Sequence, residues 1–113
     1  MGEYRLYFVM TATARPGKSA EAAQWYREKG QAFMESYPGV KSLRVFAGQF
    51  GIGRKHGIEF WLEIENYAVM DAWDAAIADD PAKYGAPWTE YGELFESGPS
   101  RVMGDWPESH FGD

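Results

Sequence analysis

"IEFWLEIENYAVMDAWDAA", residues 58–76, decides the fold. Its first seven residues alternate. Ile58, Phe60, Leu62 and Ile64 fall on one side of an extended chain, and Glu59, Trp61 and Glu63 on the other. The period then changes from two to about 3.6 residues. Val69, Met70, Trp73, Ala76 and Ile77 make a helical stripe, and Asn66 stands where an N-cap would satisfy the first amides. Asp79-Asp80-Pro81 ends the stripe. A strand with an apolar side thus feeds a helix with an apolar side, the local arrangement of a helix packed on a sheet.

The same two periods recur outward from this stretch. Tyr4 to Thr13, "YRLYFVMTAT", is a strand pattern with Leu6, Phe8 and Met10 on one face and Arg5, Tyr7, Val9 and Thr11 on the other. Both faces carry apolar groups, so both are expected to be covered. "RPGKS", residues 15–19, breaks the strand. From about Lys18 to Tyr37, Ala22, Tyr26, Gly30, Phe33, Met34 and Tyr37 predict one amphipathic helix, stopped by Pro38-Gly39. Gln24, Arg27, Glu28, Gln31 and Glu35 take its polar side, with Trp25 at the edge of the apolar stripe. Val40 to Gly48 reads as a second strand. Beyond Pro81, Trp88, Tyr91 and Phe95 predict a short helical piece before Gly98-Pro99, and "RVMGDW", residues 101–106, a last short strand.

The order is β-α-β-β-α-β with an extra helical segment before the final strand. That is the ferredoxin-like split unit, an α+β fold with both helices on one face of an antiparallel sheet. The chain of 113 residues is expected to be a single domain, 1–113, with 107–113 as a flexible tail. The second sheet face would then carry Arg5, Tyr7, Val9, Arg44, Phe46, Glu59, Trp61, Glu63, Arg101 and Met103. A monomer would leave those apolar groups in water. The expected cover is the same face of a second copy, a two-fold homodimer.

The connection between the two middle strands, "FGIGRKHGIEF" (residues 50–60), resembles a nucleotide loop at first sight. "GQFGIGRK", residues 48–55, has the glycine spacing of a phosphate loop, but Arg54 stands where Lys belongs and Lys55 where Ser or Thr belongs. A strand follows it rather than a helix, so no helix N-terminus awaits a phosphate. It reads as a hairpin connection, at most a lid. His56 lies within it as a candidate proton carrier or anion contact.

Composition narrows the function classes. The net charge of −6 and the lack of any basic stripe argue against nucleic acid. With no Cys there is no thiol nucleophile, disulfide or cysteinyl metal site, in keeping with a reducing cytoplasm. No apolar run approaches ~20 residues, so no membrane span is expected. No metal is expected either. His110 has Asp105, Glu108 and Asp113 near it in sequence, at no recognised ligand spacing. Ser97 and Ser100 have no neighbouring base in sequence. Aromatics reach 17%, with five Trp and seven Tyr, which is more ring surface than a small core easily hides. The excess points to a ligand cavity or an interface.

The 58–76 stretch, the later "DDPAKY" and "GPSRVMGDW", and the half "RPGKSAEAAQWYREKGQAFMESYPGVKSLRVF" together resemble the dimeric α+β barrel superfamily. That group includes antibiotic-biosynthesis-type monooxygenases and stress-responsive barrel proteins. The resemblance covers roughly Tyr4 to Trp106 and lies in element order, not in a catalytic signature. It implies two sheets packed face to face across a dimer, with a cavity between sheet and helices or at the seam. Members oxygenate aromatic substrates without a cofactor, isomerise lactones, break down haem or bind ligands, and fold alone does not choose among these. A haem-degrading relative would need a well-placed histidine, and neither His56 nor His110 lies on a predicted helix or strand.

The sheet face is the candidate site. Tyr7, Phe46, Trp61 and Met103 could grip an apolar or planar ligand, and Arg44 or Arg101 could hold a carboxylate or enolate through paired N–H donors. Glu59 or Glu63 could serve as general base if desolvation raised its pKa. The structural alternative has Arg5, Arg44 and Arg101 pairing with Glu59 and Glu63 across the seam. Two functions stand open. One is a small-molecule enzyme, a cofactor-independent monooxygenase or isomerase acting on an apolar or aromatic substrate. The other is a non-catalytic homodimer that binds an amphipathic, acyl-carboxylate-like ligand or merely packs.

Overall fold

The computed structural model describes residues 4–48 and 57–108. The strands are β1 (Leu6–Ala14), β2 (Val40–Ala47), β3 (Gly57–Ile64) and β4 (Phe95–Gly104). The helices are α1 (Ser19–Trp25), α2 (Gln31–Glu35), α3 (Val69–Asp79), α4 (Pro81–Tyr84) and α5 (Ala86–Leu94). They form one sheet in the order β2-β3-β1-β4, antiparallel throughout. This is the α+β, ferredoxin-like arrangement expected from the sequence. Each β-α-β half leaves a gap of one strand, and the other half fills it.

Register settles the two faces. Val9 lies opposite Trp61 on one side and Arg101 on the other, and Arg44 lies opposite Trp61. Phe8 faces Leu62, and Met10 faces Phe60. One face therefore carries Leu6, Phe60, Leu62 and Ile64 into the core beneath the helices. Neither loop histidine can be placed, because residues 49–56 and 109–113 lie outside the described residues. The connection holding His56 is flanked by strands on both sides, and the Gly48 amide donates to the Gly57 carbonyl at its base (2.8 Å).

The first helix differs from the single α-helix expected over 18–37. Between α1 and α2 lies a π-helical turn, Tyr26–Gly30. Its i→i+5 geometry brings residues five apart onto the same side. Gly30 thereby sits against the Trp25 ring, where a Cβ would lie 2.5 Å from the indole. Trp25, placed by a regular helical period at the stripe's edge, is turned fully inward. Its ring meets Tyr91 and Phe95 edge-on, at 6.1 and 6.2 Å, and its N–H donates to Glu90 Oε1 (3.1 Å).

Two further boundaries move. Asn66 does not cap the second long helix through its side chain. Ala68 occupies the cap position of α3, and the Asn66 carbonyl accepts from the Val69 amide at 3.3 Å. The last strand starts at Phe95 rather than Arg101, so Phe95 is a strand residue and Gly98-Pro99 lies within β4. Three local features accommodate this. A Cβ on Gly98 would lie 2.5 Å from Thr11 Oγ1, the register slips between Met10 and Ala12, and Thr11 Oγ1 donates to the Pro99 carbonyl (2.6 Å). Proline is tolerated because β4 is an edge strand with a bulge beside it.

Most of the aromatic excess packs in the core. The indole N–H of Trp73 donates to the Pro38 carbonyl (2.7 Å), that of Trp88 to the Tyr37 hydroxyl, and Tyr37 in turn donates to the Tyr84 carbonyl (2.6 Å). Rings can be buried here because their polar ends are satisfied.

Gly39 holds the Pro38 turn at φ +76°, with no room for a Cβ beside the Val69 side chain, whereas Gly17 has the same φ and open space. Both Gly17→Ala and Gly39→Ala should cost about 1–2 kcal/mol for the left-handed backbone. Gly39→Ala should cost clearly more, through displacement of Val69. Urea unfolding of the two variants checks this, and equal losses would mean that the Val69 contact is relieved without cost.

Candidate functional site

The sequence-predicted residues of the open sheet face do come together. Tyr7, Trp61 and Phe46 form an aromatic row, with Tyr7–Trp61 and Phe46–Trp61 centroids at 5.4 and 5.9 Å, both edge-on. Val9 lies beneath them with 0% exposure. The Arg44 guanidinium sits 5.2 Å from the Phe46 ring centroid. Phe46 and Met103 remain 44% and 38% exposed, so the patch is apolar and partly uncovered among the described residues.

The polar members of this face are engaged with one another. Glu59 Oε1 accepts from the Trp61 indole (2.9 Å) and from Arg101 (3.3 Å), and Arg101 Nε also points at the Met103 sulfur (3.1 Å). Glu63 accepts from Ser42 Oγ at 2.8 Å and lies 3.9 Å from Lys41. At the end of β1, the Tyr7 hydroxyl, followed by the charges of Asp105 and Glu63, holds the Arg5 guanidinium above its ordinary value. Both candidate bases are thus held by neighbours of the same sheet face, Glu59 half-exposed and Glu63 largely covered. A general base needs a carboxyl that faces bound substrate.

Half-open apolar cavities lie under the helices. One cavity of about 310 Å³ lies between α1 with the π-turn and strands β2 and β3. Ala22, Tyr26, Val45, Ile58, Phe60 and Phe95 supply its apolar walls, Arg27 and Ser19 also line it, and Phe46 of the edge strand β2 borders it from the other sheet face. A second cavity, of about 210 Å³, lies between the sheet, the end of α2 and α3, bounded by Met10, Met34, Tyr37, Trp73, Trp88 and, as its one charged group among the described residues, Asp74. The hydrogen bonds of Tyr37, Trp73 and Trp88 run into the protein, so this chamber offers ring and thioether surface.

Sequence reading missed Arg27 and Tyr26 as site residues, because Arg27 falls among the charged residues of the helix although it shares a face with Ala23 and Ser19, four and eight residues before it. The available signal was the small pair Ala22-Ala23 one turn before Tyr26 and Arg27. Among the described residues no group of His, Asp and Glu is arranged to hold a metal. No helix among them is long and apolar enough to cross a membrane.

The sequence matches no protein-family profile and no curated protein. The fold does recur in solved structures. It is similar to a NIPSNAP-family protein of unknown function from Agrobacterium tumefaciens, with a TM-score of 0.71 and 16% identity over 89% of this chain and 87% of that one. It is also similar to an uncharacterized NIPSNAP domain protein from Burkholderia xenovorans, with a TM-score of 0.62 and 19% identity over 96% of this chain and 99% of that one. HapK from Hahella chejuensis gives a TM-score of 0.66 and 12% identity over 96% and 99% of the two chains. At these identities the likeness is one of fold, a ferredoxin-like α+β domain shared with NIPSNAP proteins.

Burial pushes the phenols of Tyr37 and Tyr91 up from the ordinary 10.0, opposed in part by hydrogen bonds from Trp88 and Ser97 respectively. The unfolded state therefore loses these protons first as pH rises. Stability should be fully present below pH 10.0 and fall as the pH climbs through the raised native values. Urea midpoints across this range should show the decline, and Tyr91→Phe should flatten it. An unchanged slope in that variant would mean that Tyr91 is not held neutral by the fold.

Proposed function

We propose that this chain is a homodimeric small-molecule-binding protein of the dimeric α+β barrel kind. Its open sheet face forms the seam, and its ligand space lies between helices and sheet. The observation that carries this reading is the contrast between the faces. The apolar sheet face holds a half-buried Phe46–Trp61–Tyr7 row, exposed at Phe46 and framed by ion pairs, while half-open apolar cavities lie beneath the helices. The face is self-complementary in charge, since Arg101 and Glu59, and Arg5 and Glu63, place both signs around the apolar centre. A second copy rotated by two-fold symmetry could meet each sign with its opposite.

On this reading Tyr7, Arg44, Phe46, Trp61, Arg101 and Met103 hold two subunits together. Glu59 and Glu63 orient neighbours rather than move protons. The oxygenase or isomerase alternative would require one of these carboxylates to face bound substrate, and their contacts with Trp61, Arg101, Ser42 and Lys41 favour the binding role.

Sedimentation should give the mass of two chains, and Met103→Glu, placing a charge on the seam, should shift the equilibrium to monomers. A neutral apolar probe such as octanol should bind wild type, and Ala23→Phe, which plugs the cavity wall from the helix side, should abolish that binding. A monomeric wild type would remove the seam. Octanol binding unaffected by Ala23→Phe would remove the cavity beside α1 as ligand space.

A further inference from the structure

Arg27 sets one cation at the rim of an apolar chamber, and we infer that this chamber takes an amphipathic monoanion, a medium-length apolar tail carrying a carboxylate, whose head is read by Arg27. The inference rests on the helix-side cavity being ligand space and adds to it the chemistry of the ligand.

Three observations lead there. First, the chamber's walls are aliphatic and aromatic: Ala22, Val45, Ile58, Phe60 and Phe95, closed by the Tyr26 ring 6.0 Å from Phe60. Its volume of about 310 Å³ is that of a small ligand pocket (roughly 300–1,000 Å³). Second, Arg27 is the only charged side chain among the described residues lining it. No carboxylate among the described residues lies in an ion pair with Arg27, although the chain carries 17 acidic against 11 basic residues. Neighbouring cations are engaged: Lys18 with Glu21, Lys29 with Glu90, Arg15 with Glu96. An unpaired guanidinium beside buried apolar surface leaves its donor fork available to an anion from outside.

Third, the helix presents Arg27 to the chamber by its ordinary period. Ser19, Ala22, Ala23, Tyr26 and Arg27 follow the i, i+3, i+4, i+7, i+8 spacing of one helix face, and all five line the cavity. A carboxylate suits this rim better than an ammonium, which Arg27 would repel. It suits it better than a neutral alcohol, which would leave the guanidinium without a charged acceptor.

The test uses the full chain and three probes with the same tail: octanoate, octanol and octylamine, followed by calorimetry. Octanoate should bind most tightly. Arg27→Gln should weaken octanoate by roughly five- to tenfold, as expected for a charge-assisted pair at a solvent-accessible rim. Arg27→Lys should recover part of that loss, and neither variant should change octanol binding. Octanoate binding should also weaken with added salt while octanol binding does not. Equal affinity of wild type and Arg27→Gln for octanoate, or octylamine binding as tightly as octanoate, would overturn the inference while leaving the cavity as ligand space. If none of the three probes binds, or if Ala23→Phe changes none of them, the cavity reading itself falls and the inference with it.

Discussion

Phe60 is the side chain through which the parts of this fold meet. It lies in mid-β3 with 1% exposure. Its ring touches Tyr26 of the π-turn at 6.0 Å, Tyr91 of α5 at 6.1 Å and Phe95 of β4 at 5.8 Å. Tyr91 and Phe95 stack at 4.7 Å, and both meet Trp25. Each such pair contributes about 0.5–1.5 kcal/mol beyond area burial. One strand residue thus connects the sheet to the helices of both halves of the chain. It also forms a wall of the cavity beside α1, so any ligand there would lie on the ring that organises the core.

The strict alternation of β3 makes this possible and has a cost on the other side. If Phe60 and Leu62 point to the helices, Trp61 must point away. With the helices on one face of the sheet, no element among the described residues covers Phe46 and Met103 on the other. The row of edge-on rings over Val9 reduces the exposed area but does not remove it. Ion pairs at the border, exposed to water, contribute little stability individually. Their physical effect is on orientation, because opposite signs arranged around an apolar centre select a facing surface with the same pattern.

Elements and faces were legible in the sequence because they depend on periods of two and 3.6, which β1, β3 and α3 carry without interruption. The departures occur where a period is broken by one residue. Gly30 makes the π-turn, and a glycine in a helical run reads equally as a weak point or a close contact. Only the Trp25 ring lying against it tells which. Gly98-Pro99 reads as a break but is accommodated inside β4, through the Thr11–Pro99 bond and a register slip that no single strand's sequence reveals. The sheet-face cluster was readable from alternation alone. The cavity was not, because it arises from mismatch between elements: two alanines on a helix and the strand ends opposite.

That mismatch also bears on how binding and stability are linked in this domain. The chamber beside α1 exists because Ala22 and Ala23 leave space that larger side chains would fill, and cavities carry a stability cost that grows with their volume. The cost is offset by the dense ring packing around Phe60 next to it, so the void does not have to collapse. A ligand tail entering the chamber would restore the missing contacts on its walls, Tyr26 and Phe60 among them, without asking the sheet to move. The regular helix face of Ser19, Ala22, Ala23, Tyr26 and Arg27 lines the chamber, and the π-turn that follows seats Gly30 against the Trp25 ring. Core packing and ligand space therefore adjoin on one helix, and a side chain added at Gly30 would displace the Trp25 ring next to the chamber.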